Sequence, residues 1–137
     1  MSKSMFEIVQ PKHWSAPKGY ANGIAAQGRQ IFIAGQVGWN AQAQFESDDF
    51  VAQVEQALKN IVDVLAAAGC EPRHLVRLNW YVTDKAEYAA RQREIGMAYR
   101  RQIGRHFPAM TLVVVAGLLE PLAKVEIEGT AVIADER

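Results

Sequence analysis

One cysteine, Cys70, occurs in the 137 residues. That excludes an internal disulfide and any cysteine-based zinc centre. The five prolines are scattered, so no proline-rich linker divides the chain. Neither sign of charge is in excess, because 15 Lys and Arg stand against 15 Asp and Glu. Such balance argues against a domain built to grip a nucleic-acid backbone, where a basic surplus is usual. Long apolar runs are missing too. The longest, near Leu112–Leu119, is interrupted by Gly117 and is far shorter than the roughly 20 residues of a membrane span. Met1-Ser2-Lys3-Ser4 lacks the apolar core of a signal peptide, so a cytoplasmic location is expected.

What the chain does have is apolar content: half of its residues are hydrophobic and 22% are charged. This is ordinary globular composition, and the length suits a single domain over residues 1–137. Short extended segments are expected at Phe6–Val9 and Gly23–Gln27, with Gly28-Arg29 turning the chain into Gln30–Gln36 as a hairpin. Ser47 is the expected N-cap of a helix over Asp48–Ala68, in which Phe50, Val54, Leu58, Ile61 and Leu65 form one apolar stripe. Gly69 supplies the stop.

Val76, Leu78, Trp80 and Val82 alternate with polar or amphipathic residues, as a strand does. Asp84 and Glu87 then have the spacing of a capping box. A second helix follows, with Tyr88, Ile95, Tyr99 and Ile103 on one face, and strands are expected at Met110–Ala116 and Lys124–Ile133. The order is therefore β-β-β-α-β-α-β-β, an α+β domain with one mixed sheet of about six strands and two helices on one face. The other face is left uncovered, and self-association is the simplest way to cover it.

Familiar catalytic signatures are absent: there is no phosphate-binding loop, dinucleotide fingerprint, nucleophile elbow or H-E-x-x-H pair. His13, His74 and His106 are far apart and show no metal-ligand spacing. Glu126 and Glu128 are more informative, because residues two apart on a strand share a face. Two adjacent carboxylates repel each other, which helps to retain a proton for general-acid work. The competing explanation is an edge strand charged against aggregation. Trp39 follows a Gly-Gln-Val-Gly segment and suits an aromatic wall at a pocket or an interface.

With these elements placed, the chain resembles the RidA/YjgF family of reactive-intermediate deaminases, also known as L-PSP endoribonucleases. The resemblance runs from Gly19 to Ile133. It rests on Gly19-Tyr20, Ile33-Ala34-Gly35-Gln36, Gln53 with Gln56-Ala57-Leu58-Lys59-Asn60-Ile61, Tyr81-Val82-Thr83-Asp84, Phe107-Pro108-Ala109 and Val125-Glu126-Ile127-Glu128. It implies a chorismate-mutase-like fold assembled as a homotrimeric barrel, with small-molecule pockets at the subunit interfaces. It also implies hydrolysis of imines or enamines derived from amino acids, with no metal or organic cofactor; the balanced charge and the short apolar runs lead us to expect no nucleic-acid or membrane partner.

Carried over residue by residue, the resemblance makes Glu126 the catalytic carboxylate. Tyr20, Gly35 and Gln92 become substrate-binding residues, Gln92 standing where many members have asparagine. Trp39 and Met110 complete the expected lining. Met110 is the departure, because the family places an arginine there to clamp the substrate carboxylate. A thioether carries no charge and accepts hydrogen bonds weakly. Loss of such a clamp costs on the order of 2–5 kcal/mol when the partner charge stays buried. The expectation is an imine or enamine deaminase of altered specificity, with Arg77 or Arg91 as candidate substitutes for the missing charge. A non-catalytic ligand-binding trimer is the alternative, and ribonuclease activity comes third.

Overall fold

A computed structural model describes residues 6–135; the Met1–Ser4 segment lies outside them. Six strands are present: β1 (Phe6–Val9), β2 (Gly23–Ala26), β3 (Arg29–Val37), β4 (Leu75–Val82), β5 (Ala109–Val114) and β6 (Val125–Ile133). Three helices accompany them, α1 (Phe50–Ala67), α2 (Lys85–Ala90) and α3 (Gln92–Gln102). The class is α+β, as expected. The strands do not form one sheet, however. β3-β6-β4-β5 make a four-stranded sheet, and β1 pairs with β2 as a separate antiparallel ribbon.

The reason lies at Gly28, where a hairpin between β2 and β3 was expected. Gly28 has φ +145°, and a Cβ there would lie 2.3 Å from the Ile133 carbonyl oxygen. The chain passes so closely over the end of β6 that β3 pairs with β6, not with β2. Glycine is needed both for the positive φ and for the approach.

Helix α1 carries the core. Its stripe of Phe50, Val54, Ala57, Leu58, Ile61 and Leu65 is buried against the sheet. Each large member contributes about 1.5–3 kcal/mol of transfer free energy. The cap is Asp49, not Ser47: Asp49 Oδ2 accepts from the Ala52 N–H at 3.0 Å, while Ser47 Oγ accepts from the Asp49 N–H. A full negative charge at the positive end of the helix dipole outdoes a hydroxyl. The Arg91 guanidinium, together with that backbone bond, holds the Asp49 carboxyl below its usual range.

The end of β3 touches α1 so tightly that a Cβ on Gly38 would lie 2.6 Å from Gln53 Cα. Gln53 itself is buried, and its amide bonds the Ser47 and Leu122 carbonyls and accepts from the Lys124 N–H. The helix thereby fixes the start of β6.

The second helix divides at Arg91, whose backbone leaves the helical region with φ −119° and ψ 25°. At this break the Arg91 guanidinium bridges Asp49 (2.6 Å) and Glu94 (2.7 Å), tying α2, α3 and the start of α1 together. α2 and α3 form the crossover between β4 and β5, which are parallel. In β4 the buried positions are Leu75, Leu78, Trp80 and Val82, with a register shift between Leu75 and Arg77. Val76 is only half-buried, because the irregularity breaks the alternation there.

Candidate functional site

Strand β6 lies in the middle of the sheet, between β3 and β4. Its Val125, Ile127, Gly129 and Ala131 are buried on the helix side, so Glu126, Glu128 and Thr130 occupy the open side. A charged edge strand is thereby excluded as the explanation of the two carboxylates. The structure also separates their roles. Glu128 Oε1 accepts from the Tyr81 hydroxyl and, at 3.3 Å, from Asn79 Nδ2; Asn79 Oδ1 in turn accepts from Arg77 Nε. The bond to Glu128 pushes the Tyr81 phenol up from its ordinary range.

The Glu126 carboxylate, opposite Tyr81 in the register, has no hydrogen bond or ion pair among the described residues. It lies over Gly35 instead, where an added Cβ would sit 2.0 Å from Glu126 Oε2 and 2.7 Å from Cδ. The bulge between Ile33 and Gln36 in β3 presents this bare stretch of backbone to the carboxylate.

Tyr20, Gln92 and Met110 meet elsewhere. They line a cleft of about 420 Å³ between the α2–α3 crossover and the β4–β5 pair. Tyr20 is fixed there because the Ala21 N–H donates to the Pro108 carbonyl at 3.0 Å, and Ala21 bridges to Ala109 at the start of β5. Met110 is in register with Leu78 and packs against the core, on the helix side of the sheet.

The cleft is also walled by Trp80, Tyr88, Tyr99, Phe107 and Leu112, with Lys18 and Arg100 bringing two positive charges. Tyr99 stacks on Phe107 (centroids 5.5 Å apart, planes 10° apart) and lies against Trp80 at 6.4 Å. Its hydroxyl donates to the His106 carbonyl at 2.6 Å, and burial raises its phenol. Trp80 Nε1 is buried with no hydrogen-bond partner, a deficit of about 1–3 kcal/mol unless an acceptor reaches it.

The expected site residues thus fall into groups. Tyr20, Gln92 and Met110 share the cleft; Gly35 and Glu126 share the open face on the other side of the same sheet. Trp39 joins neither, and packs against Phe45 with ring centroids 5.8 Å apart. Neither Arg77 nor Arg91 lines the cleft that holds Met110 in the same chain. Arg91 is held by Asp49 and Glu94, which raise its already high pKa, and Arg77 bonds Asn79 on the open face.

Lys18, Trp80 and Arg100 escaped sequence reasoning. The available signal was the spacing Tyr88, Gln92, Gly96 and Arg100, one helical face with a glycine gap in it. Among the described residues, no group of three His, Cys, Asp or Glu side chains stands close enough to hold a metal ion, and no helix is long and apolar enough to cross a membrane.

Comparison with known proteins identifies the family. Residues 11–133 match the family described as Endoribonuclease L-PSP. The goat 2-iminobutanoate/2-iminopropanoate deaminase is 33% identical over 133 residues, covering 96% of this chain and 93% of that protein. The human protein of the same name is 30% identical over 105 residues, 76% of this chain and 73% of its own. Among solved structures, the Rid-family protein YyfB of Yersinia pestis, of unknown function, superposes with a TM-score of 0.81 at 33% identity, covering 95% of this chain and all of its own. The chain belongs to the RidA/YjgF family.

Proposed function

We propose that this protein hydrolyses an imine or enamine to a carbonyl compound and ammonia, in a site completed between copies of the chain in a homotrimer. The observation that carries the proposal is the unpaired Glu126 carboxylate on a central strand, held against the bare backbone of Gly35. Glu128, by contrast, is engaged at Oε1 by Tyr81 and Asn79, which holds its carboxylate in place and leaves it less available to a substrate proton. Water would add to the imine carbon, and Glu126 would pass a proton to the nitrogen. Collapse of the resulting carbinolamine would release ammonia and leave the carbonyl product. An enamine enters the same course after tautomerising to the imine. The relatives named as 2-imino acid deaminases support this reaction class.

Assembly follows from the division of the site. The sheet separates Glu126 from Met110 within one chain, so a second copy must offer its Gly35–Glu126 face to the cleft. The test is ammonia and keto-acid release from an imine generated in place by an amino-acid oxidase. The wild-type chain should accelerate release, and Glu126→Gln should lower the rate by about 10²–10⁴, the usual contribution of a general acid. An unchanged rate in the variant would overturn the proposal.

A second reading, a non-catalytic binding trimer, is favoured by Met110 alone, since the substrate clamp is missing. Turnover that scales with protein and disappears in Glu126→Gln would exclude it. Met110→Arg supplies a further arm, and should raise activity toward 2-iminopropanoate if the remaining site is intact.

A further inference from the structure

The cleft around Met110 has lost one positive charge but holds two others. Lys18 and Arg100 both line it, no carboxylate does, and neither cation takes part in a salt bridge with another described residue. This contrasts with Arg73, Arg91 and Arg101, each of which pairs with a carboxylate. Between the cations and the core, the wall is aromatic. Phe107 and Tyr88 present ring surface, the largely buried Tyr99 and Trp80 line the cleft beside them, and Gly96 leaves open space where a side chain would otherwise project. At 420 Å³ the cleft is far larger than a three- or four-carbon acid requires. The buried Trp80 N–H without a partner is a donor in the wall that an acceptor on a ligand would satisfy.

We infer that the cleft takes an aromatic 2-imino acid, whose ring lies among Tyr88, Tyr99 and Phe107 and whose carboxylate is held by Arg100 and Lys18 instead of by residue 110. This inference rests on the deaminase reading of the same site and adds the substrate class. Arg100 reaches the cleft from the crossover helix α3 and Lys18 from the segment before Tyr20, and both line it together with Met110. A carboxylate anchored there leaves the ring, not the acid group, against Met110. A thioether suits that contact, since sulfur packs well at the edge of an aromatic ring.

The experiment measures binding separately from turnover. Calorimetric titration of the full-length protein would use phenylpyruvate, the stable keto acid corresponding to an aromatic imine, with pyruvate as the small acid and phenylacetone as the neutral aromatic ketone. Phenylpyruvate should bind about tenfold or more tighter than pyruvate, because burial of a ring adds well over a kilocalorie. Arg100→Gln should weaken phenylpyruvate about three- to tenfold, the range of a partly screened charge-assisted contact. The same variant should leave phenylacetone unchanged.

Equal affinity for phenylpyruvate and pyruvate would overturn the inference, and so would equal loss of phenylpyruvate and phenylacetone in Arg100→Gln. The deaminase reading fails differently. Aromatic binding with the expected Arg100 dependence, but no ammonia release from the matching imine, would support the cleft assignment and sink the catalytic one. Turnover of 2-iminopropanoate without preference for the aromatic imine would do the reverse.

Discussion

Position 35 shows how one missing Cβ makes room for a carboxylate. The Gly35 backbone lies under the Glu126 carboxylate, where a methyl group would meet Oε2 at 2.0 Å. The obstructing atoms belong to the end of a flexible side chain, so Gly35→Ala should fold and should displace the carboxylate instead of the strand. The expected outcome is a thermal midpoint close to the wild type with a kcat reduced tenfold or more, since a misplacement of about 1 Å can cost about 10²-fold in a positioned group. Steady-state kinetics beside a melting curve would check this. A variant that loses stability and activity together would show that Gly35 serves the fold alone. The Glu126–Glu128 pair was legible in the sequence as two carboxylates on one face. Which of them is free was not, because that depends on Tyr81 and Asn79, brought beside Glu128 by the pairing of β4 with β6.

Among the elements, α1 was the most legible, because five stripe residues and a glycine stop outvote any error at the cap. Asp49 displaced Ser47 as the cap through a partner, Arg91, that lies 42 residues away in sequence. The α2–α3 break hides in the pattern for a similar reason, since one non-helical residue at Arg91 leaves the apolar spacing on either side intact. Strand pairing was less legible again, because the ladder of β3 is decided by its approach to β6, not by its own turn. Gly96 ties the stability of α3 to the cleft. It is a helix-interior glycine with open space at its Cβ position and no positive φ. Gly96→Ala should therefore stabilise the protein by about 0.5–1 kcal/mol through helix propensity. The same methyl group would project into the cleft and weaken phenylpyruvate binding. Denaturant unfolding and calorimetric titration of the one variant would read both effects. A gain in stability without any loss of affinity would place the ligand away from α3.

At the scale of the whole molecule, the sheet is covered on one side and open on the other. Helices α1 and α3 pack together, and α1 lies against β3 and β6. The open side carries Tyr81, Asn79, Glu128, Thr130 and Arg77, with Phe32 74% exposed on β3 opposite Thr130. A phenylalanine that exposed, beside a network of satisfied polar groups, matches a protein–protein surface better than a solvated one. The proposed site has the same consequence, because in that reading Glu126 and the cleft meet across a boundary between chains. Phe32→Asp should thus act on assembly and on catalysis at once, even though Phe32 touches neither half-site. Sedimentation should show a trimer for the wild type and a lighter species for the variant, and deaminase activity should fall in proportion to the trimer lost. Far-ultraviolet circular dichroism should stay the same, because an exposed phenylalanine adds little to the fold of its own chain. If the variant were a fully active monomer, one chain would hold a complete site, and the sheet could not be what separates Glu126 from the cleft.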